Sequence, residues 1–341
     1  METIVECVPN FSEGKDPAVI GAIAGAVTRV TGVTLLGVEP DTDYNRSVVT
    51  FVGPPEGVKE AAFGATRVAS ELIDMRSHKG EHPRLGATDV VPFVPVSGID
   101  TAGCVKLANE YGCRVAAELG IPVYLYEEAA RSPERQNLSN IRRGEYEGLR
   151  DKLKDPAWKP DYGEAKFNPR SGATVTGARF FLIAYNVNLD TNDKQVAHEI
   201  ALRIRESGRT IKNPAGVSTR IPGTLKSVKA MGVHLERSDI AQISINLTNY
   251  AVTPPHAAFE EVKREAKTLG ANVTGSEVVG LIPKEALLMA GRYYSPAGSA
   301  LPEADLIATA VERLGLSGLD PFEPSKKVIE FMIRDSMNNT R

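Results

Sequence analysis

Cysteine is scarce in this chain. Cys7, Cys104 and Cys113 are the three present in 341 residues, and no two of them form a C-x-x-C pair. An odd, widely spaced set excludes both a disulfide framework and a zinc ribbon. Aromatic residues reach 6%, with a single tryptophan, Trp158, so the core has to be built from Val, Ile, Leu and Ala. No apolar run approaches the ~18 uninterrupted residues of a membrane-spanning helix. The N-terminus, METIVECVPNF, has no basic stretch followed by a long apolar one, so no secretory signal is expected. No membrane association and a cytoplasmic location with reduced thiols are the expectation. Positive charge is not in excess either: Lys and Arg total 40 against 43 Asp and Glu, a formal net charge of −3. That argues against a nucleic-acid binder working by blanket phosphate neutralisation.

What is present is ordinary globular composition, 42% apolar and 24% charged, at a length that suits about two domains. Residues 3–9 read as a strand ending at Pro9. Residues 17–30 read as a helix, with Asp16 placed to cap it and Pro17 at its first position. Strands are expected at 33–39 and 45–53, a long helix at 55–77, a strand at 88–96, a helix at 101–119 and a strand at 122–126. The first six of these have the β-α-β-β-α-β order of a split βαβ, or ferredoxin-like, unit. The same order recurs at 180–189, 193–207, 225–235, 240–249, 255–269 and 272–281. The fold class expected is α/β (α+β), two ferredoxin-like subdomains with mixed or antiparallel sheets covered by helices, at residues 1–179 and 180–334. Residues 129–178 are different: rich in Arg, Lys, Pro, Gly, Ser and Thr, they must be disordered or line something. A helix, a turn and a last helix fill 302–334.

The candidate chemistry starts with five histidines, His78, His82, His198, His234 and His256. Residues 78–82 spell H-x-x-E-H, an inverted zinc-peptidase signature that requires both histidines on one helix face. Gly80 and Pro83 oppose a helix there, so it should end near Lys79-Gly80 and no metal is expected. His82, beside Lys79, Glu81, Arg84 and Asp89, has the titration range for proton transfer at neutral pH. His78 suits a helix C-terminus, and His198 and His234 read as structural. The stretch SGATVTGAR (171–179) has G-x-x-x-x-G but lacks the Lys-Ser/Thr of a phosphate loop. Its Ser171, Thr174 and Thr176 could hydrogen-bond a polar ligand, and Lys166, Arg170 and Arg179 could pair carboxylates, unless this is a solvated basic loop.

Several blocks carry a resemblance: VECVPNFSEG (5–14), NRSVVTFVG (45–53), LIDMRSHKGEHPRLGATDVVPFVPV (72–96), PVYLYEEAA (122–130), IRRGEYEGL (141–149) and GATVTGARFFLIAYNVNL (172–189). Across about residues 3 to 333 the chain resembles the glutamate formimidoyltransferase (formiminotransferase) family. The resemblance implies a transferase that moves a formimino group from N-formimidoyl-L-glutamate to N5 of tetrahydrofolate, with tetrahydrofolate as co-substrate. It implies a folate site in the crevice between two α/β subdomains. The family's catalytic histidine falls on His82 and its acidic partner on Glu39, where aspartate is usual in the animal enzymes. The folate-binding segment falls on Gly163, Glu164, Ala165, Lys166, Phe167, Asn168, Pro169, Arg170, Ser171 and Gly172. Asn10, Arg46 and Arg84 are the substrate-binding candidates. A homodimer is expected from the family, as is a separate cyclodeaminase to consume the product, since the chain stops at Arg341. Formimidoyl-glycine is the alternative donor, and a folate-binding module without turnover is the alternative class.

Overall fold

The computed structural model describes residues 3–339 apart from 43, 81, 213–217, 237, 297 and 299. The chain forms two compact units, Met1–Phe180 and Phe181–Arg341. In the first the elements run β1 (Ile4–Cys7), β2 (Asn10–Phe11), α1 (Pro17–Thr28), β3 (Thr34–Asp41), β4 (Arg46–Gly53), α2 (Pro55–Leu72), β5 (Thr88–Ser97), α3 (Thr101–Leu119) and β6 (Val123–Glu127). Three short helices, α4 (Pro133–Gln136), α5 (Leu138–Arg142) and α6 (Glu145–Lys152), precede β7 (Thr174–Ala178).

Both β1 and β2 pair antiparallel with β4 on one side and β5 on the other. They are one strand interrupted near Pro9, which has no N–H to give to a ladder. With β3 outside β4, the lateral order β3-β4-β1/β2-β5 is the ferredoxin-like order expected from the sequence. Helix α1 begins where the capping residues put it, the Asp16 carboxylate accepting from the Ala18 N–H at 2.8 Å. Helices α1 and α2 bury Ile23, Val27, Val58 and Phe63 in one core with Val5, Cys7, Phe51 and Phe93. Each fully buried side chain of this size contributes about 1.5–3 kcal/mol. Tyr111 is fully buried among them and keeps its hydroxyl satisfied on Thr66 at 2.6 Å.

The sheet then extends beyond what the sequence suggested. β7 enters between β5 and β6, parallel to both. Its TVTGA is buried throughout, the unalternating pattern of a strand covered on both faces. The second cover is a cluster in which Ile141, Leu149 and Leu153 pack on Val90, Tyr124, Tyr126 and Val175. Residues 129–178 are therefore not an unstructured lining. They supply three helices and a central strand, made legible only by the tertiary partners. Helix α2 also ends earlier than expected, at Leu72 rather than 77. Ile73 turns extended, and the Arg170 guanidinium donates to the carbonyls of Ser70 and Glu71 in the last turn.

The second unit contains β8 (Ile183–Leu189), α7 (Lys194–Ile204), a hairpin of β9 (Arg209–Lys212) and β10 (Ser218–Ile221), β11 (Val228–Leu235), β12 (Ile240–Leu247), α8 (Pro255–Thr268) and β13 (Val273–Val279). The helices α9 (Lys284–Tyr294), α10 (Glu303–Arg313), α11 (Pro324–Lys327) and α12 (Ile329–Asn339) follow. The antiparallel sheet β11-β12-β8-β13 repeats the ferredoxin-like order. The hairpin β9–β10 and helix α9 are additions the sequence patterning did not disclose. Among the described residues no helix is long and apolar enough to cross a membrane.

One clasp connects the loop after α2 to β7. Gly86 faces Gly172 in an antiparallel bridge, with Ala87 N–H on the Ser171 carbonyl at 2.9 Å and Ala173 N–H on the Leu85 carbonyl at 3.1 Å. A Cβ on Gly86 would meet the Ser171 oxygen at 2.2 Å, whereas one on Gly21, in α1, would meet nothing within 4 Å. Gly86→Ala is expected to lower stability by about 1–3 kcal/mol through forced displacement, and Gly21→Ala to raise it by about 0.5–1 kcal/mol. Paired thermal melts check both; equal melting temperatures would contradict the close approach.

Candidate active site

Three segments of the first unit converge around His82: the loop after β2, the β3–β4 turn and the loop between α2 and β5. Asn45 joins them. It sits in the left-handed region at φ 47, where asparagine is tolerated better than other side-chain-bearing residues. Its side-chain carbonyl accepts from Gly14 N–H at 3.0 Å, and its amide donates to the Lys79 carbonyl at 2.8 Å. Its own backbone carbonyl accepts from His78 Nε2 at 2.9 Å. Gly80 lies so close to this turn that a Cβ would be 2.4 Å from the Tyr44 carbonyl oxygen.

His78 is thus a fixed neutral link rather than a helix-end charge. With Nε2 donating to Asn45, Nδ1 is left to accept from Arg84 Nε at 3.3 Å. Burial, the largest influence, and the Arg84 charge lower its pKa below the ordinary value. Because α2 stops at Leu72, His78 and His82 do not share a helix face. Glu81 of the H-x-x-E-H pattern lies outside the described residues. No group of three or more His, Cys, Asp or Glu able to hold a metal is present among the described residues.

Arg84 is 4% exposed and committed: it donates to Glu147 through both terminal nitrogens, at 2.9 and 2.7 Å, and to Glu145 at 3.0 Å. Through these pairs Arg84, a substrate-binding candidate in the sequence, holds α6 to the His82 loop. Lys79, Gly80, Arg84, Gly144, Glu145 and Glu147 line an open cavity of about 510 Å³. Arg46 is less committed. One terminal nitrogen donates to Asn10 Oδ1 at 2.8 Å, and its Nε is buried without a partner. Asn10 and Arg46, both substrate-binding candidates in the sequence, are thus brought together.

His82 is half-buried, with Tyr44 edge-on at 6.3 Å between ring centroids. No hydrogen bond ties its ring to another described residue. Burial brings its pKa down to about 4; Arg142, Arg46 and Arg84 push the same way, and Asp89 opposes them. The ring is neutral at pH 7 and able to accept a proton. The carboxylate felt most by His82 is thus Asp89, 1% exposed, which accepts from Leu85 N–H at 2.9 Å and is ion-paired with Arg142. Glu39, expected as the acidic partner, is exposed on β3, and its charge acts on Arg46. Arg142 was not singled out in the sequence. The only available signal was its place in IRRGEYEGL.

Of the expected folate segment, Gly163, Glu164, Ala165, Lys166, Pro169 and Arg170 are exposed, Phe167 and Asn168 half-buried, Ser171 and Gly172 buried. Phe167 lies 5.4 Å from the Tyr146 ring with the Arg150 guanidinium 4.9 Å from its centroid. Asn168 Oδ1 accepts from the N–H groups of Arg170 and Ser171. Thr174 and Thr176 donate to the carbonyls of Thr88 and Val91 inside the sheet, so they are structural rather than ligand donors.

Asn45→Gly is expected to keep the left-handed conformation and lose the two side-chain hydrogen bonds, about 1–3 kcal/mol. Amide exchange by mass spectrometry should then speed up at residues 12–16 and 77–80 while the helices stay protected. Unchanged exchange there would remove Asn45 from its joining role.

Residues 4–179 match the family described as "Formiminotransferase domain, N-terminal subdomain", and residues 184–334 match "Formiminotransferase domain". The chain is 48% identical over its whole length to "Formimidoyltransferase-cyclodeaminase" of Dictyostelium discoideum, and 50% identical over 98% of its length to the protein of that name from Rattus norvegicus. It spans only about three-fifths of these two proteins, 62% and 61% of their lengths. "Glutamate formimidoyltransferase" of Streptococcus pyogenes serotype M1 is 47% identical over 86% of the chain, which covers 94% of that protein. The chain belongs to the formiminotransferase family.

Proposed function

We propose that this chain transfers the formimino group of N-formimidoyl-L-glutamate to N5 of tetrahydrofolate, giving 5-formimidoyltetrahydrofolate and L-glutamate. The observation that carries the reading is a neutral, half-buried histidine among three arginines, in a chain of this family. N5 attacks the amidine-like carbon, a new C–N bond forms, and a tetrahedral intermediate results. N5 must lose a proton and the glutamate nitrogen must gain one before its bond to carbon breaks. His82 serves as base in the first step and as acid in the second. Holding both reactants in place supplies much of the remaining acceleration.

The low basicity of His82 suits this two-way role when the donor is bound. Arg46 offers a cation to a substrate carboxylate, and neutralising that charge lifts one of the influences that hold His82 down. Glu39, through its charge on Arg46, is a positioning residue in this scheme, and Asn10 orients the guanidinium. Residues 163–172 are the proposed folate segment, with Lys166 exposed to meet an anionic tail. A cytoplasmic location and a homodimeric state belong to the same proposal.

His82→Ala is expected to lower transfer by about 10²–10⁴-fold without loss of folding, measured spectrophotometrically with tetrahydrofolate as acceptor and with formimidoyl-glycine as competing donor. Undiminished transfer in this variant would overturn the mechanism. The pH dependence has a definite sign. Since His82 must be unprotonated in the free enzyme, kcat/KM should hold as pH falls through 6.5 and drop only towards about 4, where its pKa lies. Arg142→Gln removes a charge that lowers this pKa and frees Asp89, which raises it, so the drop should move to higher pH. A shift to lower pH would contradict the charge arrangement.

A further inference from the structure

The donor in the proposed reaction has two ends of opposite charge. Its carboxylates are anionic. Its formimino group is an amidine that stays protonated at neutral pH, so the carbon attacked by N5 belongs to a planar cation. The surroundings of His82 suit the first end and oppose the second. Arg142, Arg46 and Arg84 all act on the His82 ring as positive charges. Described carboxylates tied to these loops are already engaged. Asp89 holds Leu85 N–H and Arg142, Glu145 and Glu147 hold Arg84, and Glu13 accepts from the N–H groups of Lys15 and Asp16.

An uncharged, electron-rich group stands beside them. Tyr44 leaves 46% of its surface exposed, and its ring meets the His82 ring at 87° between planes and 6.3 Å between centroids. The position is not a loose one. Tyr44 N–H donates to Asp41 Oδ1 at 2.9 Å, and the Tyr44 carbonyl oxygen lies so close to Gly80 that a Cβ there would come within 2.4 Å of it. The next residue is the Asn45 junction, and the one after is Arg46, which donates to Asn10. Three consecutive residues thus present a ring, a joint and a guanidinium.

A cation within about 6 Å of a tyrosine ring centroid is attracted by the negative face of the π system. A group hydrogen-bonded to His82 on the side facing Tyr44 falls in that range. A ring face also offers no competing proton acceptor, so proton exchange stays with the histidine. We propose that Tyr44 is a donor-binding and specificity-determining residue: its ring holds the protonated formimino group beside His82 while Arg46 takes a carboxylate of the same molecule. The assignment rests on the transfer reaction proposed above and adds how the site prefers a formimino donor to its neutral formyl counterpart.

The test is calorimetric binding at pH 7 of two probes with one frame: N-formimidoyl-L-glutamate, whose reacting group is a cation, and N-formyl-L-glutamate, whose corresponding group is neutral. Tyr44→Leu removes the π face and keeps an apolar side chain. Formimidoyl-glutamate should then bind about three- to thirtyfold more weakly, with formyl-glutamate within about twofold of the parent. In the transfer assay the loss should fall on KM rather than kcat, since the cation is held alike before and during attack. Tyr44→Phe keeps the ring face and should restore the discrimination between the probes. Equal loss of both probes in Tyr44→Leu, or loss of neither, overturns the assignment, as does a Tyr44→Phe that behaves like Tyr44→Leu. The binding comparison needs no turnover, so a parent that transfers nothing overturns the reaction while the two affinities still decide the role of Tyr44. A parent that binds neither probe overturns both.

Discussion

The first unit's site depends on the junction made by Asn45. Three pieces of chain with no regular structure of their own, around residues 14, 45 and 79, meet on one side chain and one carbonyl. Loops far from a ladder must find partners for their backbone groups elsewhere, and here a single asparagine provides them. The same contact fixes His78, His78 meets Arg84, and Arg84 reaches α6. His82 lies in the middle of that chain of contacts without being used by it. The architecture immobilises the histidine's neighbours and leaves its own ring nitrogens available.

Charge is divided by the same logic. Three arginines surround His82, yet they are not equivalent. Arg84 is fully engaged by two carboxylates, and Arg142 is shared with Asp89. Arg46 has an amide oxygen on one terminal nitrogen and no carboxylate within ion-pair distance among the described pairs. The guanidinium with the weakest commitment is the one best suited to an incoming anion, because pairing there displaces the fewest existing contacts.

Much of the arrangement was legible in the sequence, for identifiable reasons. Strand and helix order followed from periodicity, and α1 began at Asp16-Pro17 because capping is local chemistry. His82 stood out because its flanks carry both acidic and basic residues. What escaped was set by distant partners. Leu72 ends α2 because Arg170, almost a hundred residues on, takes its last carbonyls. β7 has the composition of a loop and becomes a strand because β5 and β6 leave a gap for it. The influence of Asp89 on His82 was not foreseen, because the turn at Leu85 and the pairing with Arg142 that hold this carboxylate are tertiary contacts.

The insertion of β7 between β5 and β6 also fixes an order of events during synthesis. β5 and β6 are made first, ending nearly eighty and some fifty residues before β7 begins, and neither can bond the other directly across the vacant position. As the chain leaves the ribosome, both present unpaired edges until residue 178 has emerged. Unpaired strand edges are the surfaces through which chains pair wrongly. The three short helices in between are then more than filler. By packing on Tyr124 and Tyr126, they can shelter one of the waiting strands while its neighbour is still being made.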